Sequence, residues 1–270
     1  YEIPLRLVGS EMCIRDSQMT DYTFKSNFTT KIDFRQAKTP KTNSLTVVYI
    51  HGLYSDCWGR KPENVMEWCA ANGVNFFRFE LAGHGSDSAR YEETDVNIWK
   101  AQLLEVIDDI VKTDVILAGS SLGGWLSLLA ALERPEKVKG VLGLAAAPDF
   151  TADLETYIFT PEQKEKLYGE GRLEFVNADF TYVFTRALFE TGRQNMLLNR
   201  SLPIKCPVHL IQGQKDASLD PKKALNIAKC LESSEVVVKL LKDSNHRLGK
   251  DEDLAEARYS LEALVSRAGK

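Results

Sequence analysis

Residues 115–130 read VILAGSSLGGWLSLLA. A short apolar run rich in β-branched residues is followed by a glycine-framed serine, then by an apolar stretch without a helix breaker. The period changes at the serine, which predicts a buried strand, a sharp turn and a helix. Gly119-Ser120-Ser121-Leu122-Gly123 is a G-x-S-x-G pentapeptide placed on that turn. A serine held there in a strained backbone conformation projects its oxygen above a sheet, and glycines two positions away leave room for it. With Gly near 7 % of residues, the pentapeptide occurs about 0.1 times by chance in a chain of this size. The strand–turn–helix setting makes it informative.

The same rhythm extends outward. Leu45–Ile50, Val74–Glu80, Val115–Ala118, Val138–Ala145, Val208–Gln212 and Val236–Leu241 read as strands. Pro62–Asn72, Asp95–Lys112, Leu122–Glu133, Pro221–Leu231 and Glu252–Ser266 read as helices between or after them. Alternation of this kind predicts an α/β fold with a mostly parallel twisted sheet and helices on both faces. Thr23–Phe34 adds an expected antiparallel hairpin or edge strands. The alternation breaks over residues 149–202, where helical pieces such as Pro161–Tyr168 and Phe184–Leu198 occur without a clear strand signal. About 50 residues is too long for a simple connection, so a helical cap inserted above the sheet is expected. Residues 18–270 then form a single domain.

Composition narrows the field. The chain has 270 residues, a net charge of −4, 44 % apolar and 27 % charged residues. These values fit a globular chain with an ample core and lack the basic face of a nucleic-acid-binding protein. No apolar run approaches the roughly 18 residues needed to span a bilayer. Leu7–Ser17, LVGSEMCIRDS, reads as a translated sequencing-library adapter, so residues 1–17 are treated as a non-native N-terminal segment. With Met19 as start, MTDYTFKSNF has neither a basic region nor an apolar region, and a cytoplasmic location is expected unless a targeting segment once preceded it. Outside the suspect segment, Cys57, Cys69, Cys206 and Cys230 show no metal-ligand spacing and read as buried thiols in a reducing compartment. No metal site is expected.

Ser121 needs a base, and the chain has four histidines. His51 ends a strand before Gly52 and suits loop shaping. His84 lies in the Gly83-His84-Gly85 turn, and His209 lies inside a strand. His246, in the loop after the last strand, emerges at the carboxyl edge of a parallel sheet, the same edge as the serine turn. Asp216, after the Val208–Gln212 strand, reaches that edge as well and is the expected acid. Asp220 precedes Pro221 and suits a helix cap, while Asp243 is too close in sequence to His246 to reach round its ring. Backbone N–H groups for a developing oxyanion are expected from Leu122, after the serine, and from Leu53, with Tyr54 as the alternative. The chain order Ser121, Asp216, His246 differs from both serine-protease orders.

From about Leu45 to Leu254 the chain resembles the α/β-hydrolases. More narrowly it is similar to their palmitoyl-protein thioesterase and acyl-glucuronide esterase branch, which has mitochondrial and bacterial members. The segments that carry the likeness are GSSLGGWLSLLAALERPEKV (119–138), AAAPDF (145–150), TRALFETGR (185–193), CPVHLIQGQKD (206–216) and KDSNHRL (242–248). The resemblance implies an α/β-hydrolase fold, the triad Ser121, Asp216 and His246, and hydrolysis of acyl thioesters or carboxylic esters through an acyl-enzyme on Ser121. It implies no cofactor, and a small-molecule or acylated-protein substrate. This chain departs from the branch after the acid, where Ala217-Ser218-Leu219-Asp220-Pro221 stands in place of an apolar-Pro-Trp stretch, and at His51-Gly52-Leu53-Tyr54. Both departures bear on substrate preference.

The cap is rich in aromatic residues. Phe150 and Phe159 are candidates to line an acyl-chain pocket, or else to glue the cap to the sheet. Arg186 and Arg193 read as helix charges or as partners for a substrate carboxylate, and Trp125 as core. Two other functions fit the same scaffold: a carbon–carbon bond hydrolase, and a binder without catalysis.

Overall fold

The computed structural model describes residues 19–37, 45–177 and 180–268. The adapter-like segment lies outside these residues, as do Cys13 and the proposed artefact boundary.

Ten strands and eight helices are named here, beginning with β1 (Thr20–Thr23), β2 (Thr29–Arg35), β3 (Leu45–Ile50), α1 (Arg60–Asn72) and β4 (Asn75–Phe79). Then come α2 (Val96–Glu105), continued by a π turn over Val106–Val111, β5 (Asp114–Ser120), α3 (Leu122–Glu133) and β6 (Val138–Leu144). The last part of the sheet is β9 (Val208–Gly213), α7 (Lys223–Cys230), β10 (Val236–Leu241) and α8 (Asp251–Ala268). The eight-stranded sheet has the order β1-β2-β4-β3-β5-β6-β9-β10. From β4 to β10 all neighbours run parallel, while β1 and β2 supply the antiparallel hairpin expected from Thr23–Phe34.

The side-chain alternation of β3 explains why helices cover both faces. Val48 and Ile50 join the core with Trp99 and Leu103 of α2 and Trp125 and Leu128 of α3. Leu45, Val47 and Tyr49 point into a second core with Val65 and Cys69 of α1 and Leu261 and Leu264 of α8. A strand between two helical layers reads as a continuous apolar run because each face is buried. Fully burying a Val, Leu or Ile contributes about 1.5–3 kcal/mol, so β3, buried at all six positions, anchors the sheet far more than the half-exposed edge strand β10. Helix α1 stops where expected, at Gly73 with φ 69°.

Between Leu144 and Val208 the chain leaves the sheet, and β6 and β9 still pair side by side at Val141 and Val208. This excursion holds α4 (Phe150–Asp153) with a π turn over Leu154–Ile158, α5 (Pro161–Glu170), β7 (Arg172–Asn177), β8 (Phe180–Thr185) and α6 (Arg186–Gln194). The expectation of a helical cap needs correction, because β7 and β8 form an antiparallel hairpin. Phe180, Tyr182 and Phe184 alternate with Thr181, Val183 and Thr185, and Leu173 and Phe175 alternate with charged residues. That period of two is a strand signal. Burial of Leu173 and Phe184 against Phe159 and Phe189 gives the hairpin a core it could not make alone. Helix α6 accordingly begins at Arg186 rather than Phe184, with the Thr185 hydroxyl accepting from the Leu188 N–H.

Candidate active site

Three turns at one edge of the sheet bring Ser121, Asp216 and His246 together. Ser121 follows β5 and precedes α3 with φ 53° and ψ −113°, a positive-φ conformation that is costly for a residue with a side chain. The surrounding backbone holds it there: Ser121 N–H donates to Leu144 O, and its own carbonyl accepts from the Gly124 and Ala147 N–H groups. Gly119 and Gly123 are required by close approach. A Cβ on Gly119 would lie 2.2 Å from Gly123 O, and one on Gly123 would lie 2.1 Å from Ile50 O.

His246 stands in the loop between β10 and α8, and Asp216 in the loop after β9. The His246 Nδ1–H donates to Asp216 Oδ2 at 2.7 Å, which leaves Nε2 as the acceptor for the Ser121 hydroxyl at 3.1 Å. Asp216 also accepts from Gln212 Nε2 at 2.8 Å and from the Ser218 and Leu219 N–H groups at 2.9 Å each. Its side chain is fully buried. Burial alone would raise the carboxyl. The hydrogen bond and charge of His246, with the donors Gln212 and Ser218, outweigh it, and the carboxyl sits below its ordinary value.

The loop after β3 closes over the serine. A Cβ on Gly52 would stand 3.2 Å from the Ser121 Cβ and 3.9 Å from its Oγ. Among the described residues, neither the Leu53 nor the Leu122 N–H has a protein acceptor. Leu122 is the first residue of α3, so its N–H is one of the four that a helix leaves unpaired at its positive end.

The other histidines are tied up elsewhere. His51 donates from Nδ1 to Gly52 O and accepts at Nε2 from the Leu81 N–H, and burial pushes it down to about 4. It fastens the loop after β3 to the loop after β4. His84, in the Gly83-His84-Gly85 turn, is buried, donates to Ala82 O and is pushed down to about 3 by burial. His209 is half-buried within β9. Asp220 accepts from the Lys222 N–H, and Asp243 pairs with Lys215 at 2.7 Å.

In the cap, Phe159 is 6 % exposed and packs on Phe175, Phe184 and Phe189. These are all cap residues, so the ring contacts of Phe159 tie the cap to itself. Phe150 is half-buried, its ring edge-on to Trp125 at 5.7 Å. Arg193 bonds Glu155 at 3.0 Å, and Arg186 donates to Tyr168 O, so both serve the cap internally. Trp125 is wholly buried, as its sequence setting suggested, and donates to Asn195 O. Among the described residues, no group of three or more His, Cys, Asp or Glu side chains is arranged to hold a metal ion. No helix among the described residues is long and apolar enough to cross a membrane.

Two further residues of this edge escaped sequence reasoning. Tyr54, considered there only for its N–H, has φ 53°, and its hydroxyl donates to Val183 O while accepting from Val183 N–H, at 3.0 and 2.9 Å. Lys61 donates from Nζ to Ser120 Oγ at 2.7 Å. A lysine in the charged stretch Arg60-Lys61-Pro62-Glu63 carries no signal of an inward orientation.

The profile of the alpha/beta hydrolase family matches residues 47–249. The mitochondrial palmitoyl-protein thioesterase ABHD10 of Rattus norvegicus is 33 % identical over 223 residues, covering 82 % of this chain and 75 % of that protein. A crystal structure of a putative hydrolase from Agrobacterium vitis S4 superimposes with a TM-score of 0.85 at 28 % identity, covering 93 % of this chain and 99 % of that one. The structure of mouse alpha/beta hydrolase domain-containing protein 10 gives 0.81 at 27 % identity, covering 92 % and 98 %. The chain belongs to the alpha/beta hydrolase family.

Proposed function

We propose that this chain hydrolyses acyl thioesters or carboxylic esters through an acyl-enzyme on Ser121, with Asp216 and His246 completing the triad. The observation that carries the reading is the continuous hydrogen-bonded line from Asp216 through His246 to Ser121. The thioesterase name carried by the rat relative supports the thioester half of it.

The chemistry follows from the geometry. His246 Nε2 takes the hydroxyl proton as Ser121 Oγ attacks the acyl carbonyl, and Asp216 stabilises the imidazolium so formed. The carbonyl oxygen becomes an anion, met by the N–H groups of Leu53 and Leu122, and losing one such donor typically costs about 2.7–4 kcal/mol. The C–S or C–O bond then breaks, and the imidazolium returns its proton to the leaving group. Water repeats the sequence with His246 as base, releasing a carboxylic acid and free Ser121. A thiol ionises near pH 8.5 and leaves with little help, so the thioester reaction leans less on that proton return than the ester reaction does.

The cap over residues 149–202 belongs, in this reading, to one domain with the sheet and selects the acyl group. Phe150, beside Trp125 on the nucleophile helix, is the cap ring proposed to meet the acyl chain, and Phe159 acts on it through cap packing. The four described cysteines carry no disulfide, which supports a reducing compartment, cytoplasmic or, as the rat relative is named, mitochondrial.

Hydrolysis of acyl thioesters and matched oxygen esters across chain lengths tests the reading, with Ser121→Ala beside the wild type. Turnover that needs Ser121 and rises toward long thioesters is the expected result. A short-chain optimum with equal rates for both ester types points to a general carboxylesterase. Absence of turnover overturns the proposal in favour of a carbon–carbon bond hydrolase or a binder.

A further inference from the structure

Lys61 lies in the first turn of α1, half-buried, with its ammonium turned inward onto the buried Ser120 hydroxyl. Burial and the helix ends oppose a charge there. The group is desolvated, it sits at the positive end of α1, and Ser120 stands just before Ser121, the N-cap of α3. Arg247 repels it, while Asp216 and Asp253 attract it without pairing directly, and burial in this setting pushes the amine down to about 8. A cation kept in a place that disfavours it is a candidate for a role in the site.

We propose that Lys61 is a positioning residue of the active site: its ammonium holds the Ser120–Ser121 turn from the α1 side and adds a positive charge to that turn. This rests on the triad reading given above. The charged and titratable groups around the ammonium are Tyr49 of β3 beside Ser120, Asp216 after β9, Arg247 after β10 and Asp253 of α8. Among these groups and Lys61, only Lys61 touches the nucleophile turn as a cation. Its charge favours the anion that develops over the turn in the reaction.

The test compares pH profiles of kcat/KM on one acyl thioester for wild type, Lys61→Met, Lys61→Arg and Ser121→Ala, with thermal midpoints measured alongside. For Lys61→Met, kcat/KM falls about tenfold at pH 7. The wild type loses rate as pH rises past about 8 and the amine gives up its proton, and Lys61→Met lacks that fall. Lys61→Arg keeps the charge and restores the rate at pH 7, and it holds that rate past pH 8. The sign for stability runs the other way. A lysine whose folded value lies below its unfolded value costs stability at every pH under about 8, so Lys61→Met does not lower the midpoint. A purely structural lysine would lose midpoint and rate together, with the fall past about pH 8 retained in Lys61→Met. A Ser121-dependent wild type whose profile Lys61→Met reproduces overturns the role of Lys61 alone. Activity that survives Ser121→Ala overturns the triad and this inference with it.

Discussion

At the carboxyl edge of the sheet, Ser121, Asp216 and His246 are placed by the backbone: each stands on a turn that follows a parallel strand, β5, β9 or β10. In the cap, Phe159, Phe175, Phe184 and Phe189 are placed by one another, ring against ring, on a hairpin and short helices without a sheet beneath them. A site built by turns tolerates almost no change of residue at its few key positions and almost any change elsewhere. A region built by packing spreads its requirements over many side chains, none of which is decisive. In the function proposed above, chemistry therefore belongs to the edge, and selectivity to the cap.

The sharpest way to break this division is at Asp216. Asp216→Asn is expected to lower kcat about 10⁴-fold, because the amide cannot hold the imidazole with its proton on Nδ1. The ranking of substrates by acyl-chain length should stay the same. A changed ranking would mean that the edge also selects. Phe159→Ala should do the reverse. Removing a buried Phe costs about 3–5 kcal/mol, which loosens the cap and flattens the chain-length profile, while labelling of Ser121 by a fluorophosphonate persists. An unchanged profile would leave the cap without a part in selection. The smallest effect is expected at one tie between the two regions, the bonds of Tyr54 to the cap hairpin. Tyr54→Phe removes two hydrogen bonds to Val183, worth about 1 kcal/mol each. Amide exchange at Val183 should quicken several-fold and kcat should fall modestly. If kcat collapses, the loop carrying Leu53 and the cap hairpin act as one unit.

The edge was legible for the reason that makes it rigid. A glycine–serine turn between an apolar run and a helix, and loops that open after parallel strands, are statements about local sequence and topology. Ser121, Asp216 and His246 could each be located by counting strands, and the structure brings their side chains within hydrogen-bonding distance. The hairpin β7–β8 was passed over although Phe180, Tyr182 and Phe184 alternate cleanly. Its strands are short and the stretch lies among helical segments, so its burial depends on Phe159 and Phe189, which are distant in sequence. His84 shows the same limit in miniature: a histidine between two glycines suggests exposure, yet Trp99 and Tyr91 pack round it. Lys61 was invisible because nothing in a local charge pattern distinguishes an ammonium turned inward from one in water.

The strand order also sets a timetable for the newborn chain. Ser121 and His246 are 125 positions apart, with the whole cap between them. At about 5–20 residues per second of synthesis, the serine leaves the ribosome roughly 6–25 s before the histidine that would deprotonate it. Strands β9 and β10 must then add to an edge, at β6, that has stood open meanwhile. Under the proposed mechanism the growing polypeptide is chemically silent toward acyl groups until His246 is made, and β6 is the strand on which a translating cell would have to guard against wrong partners.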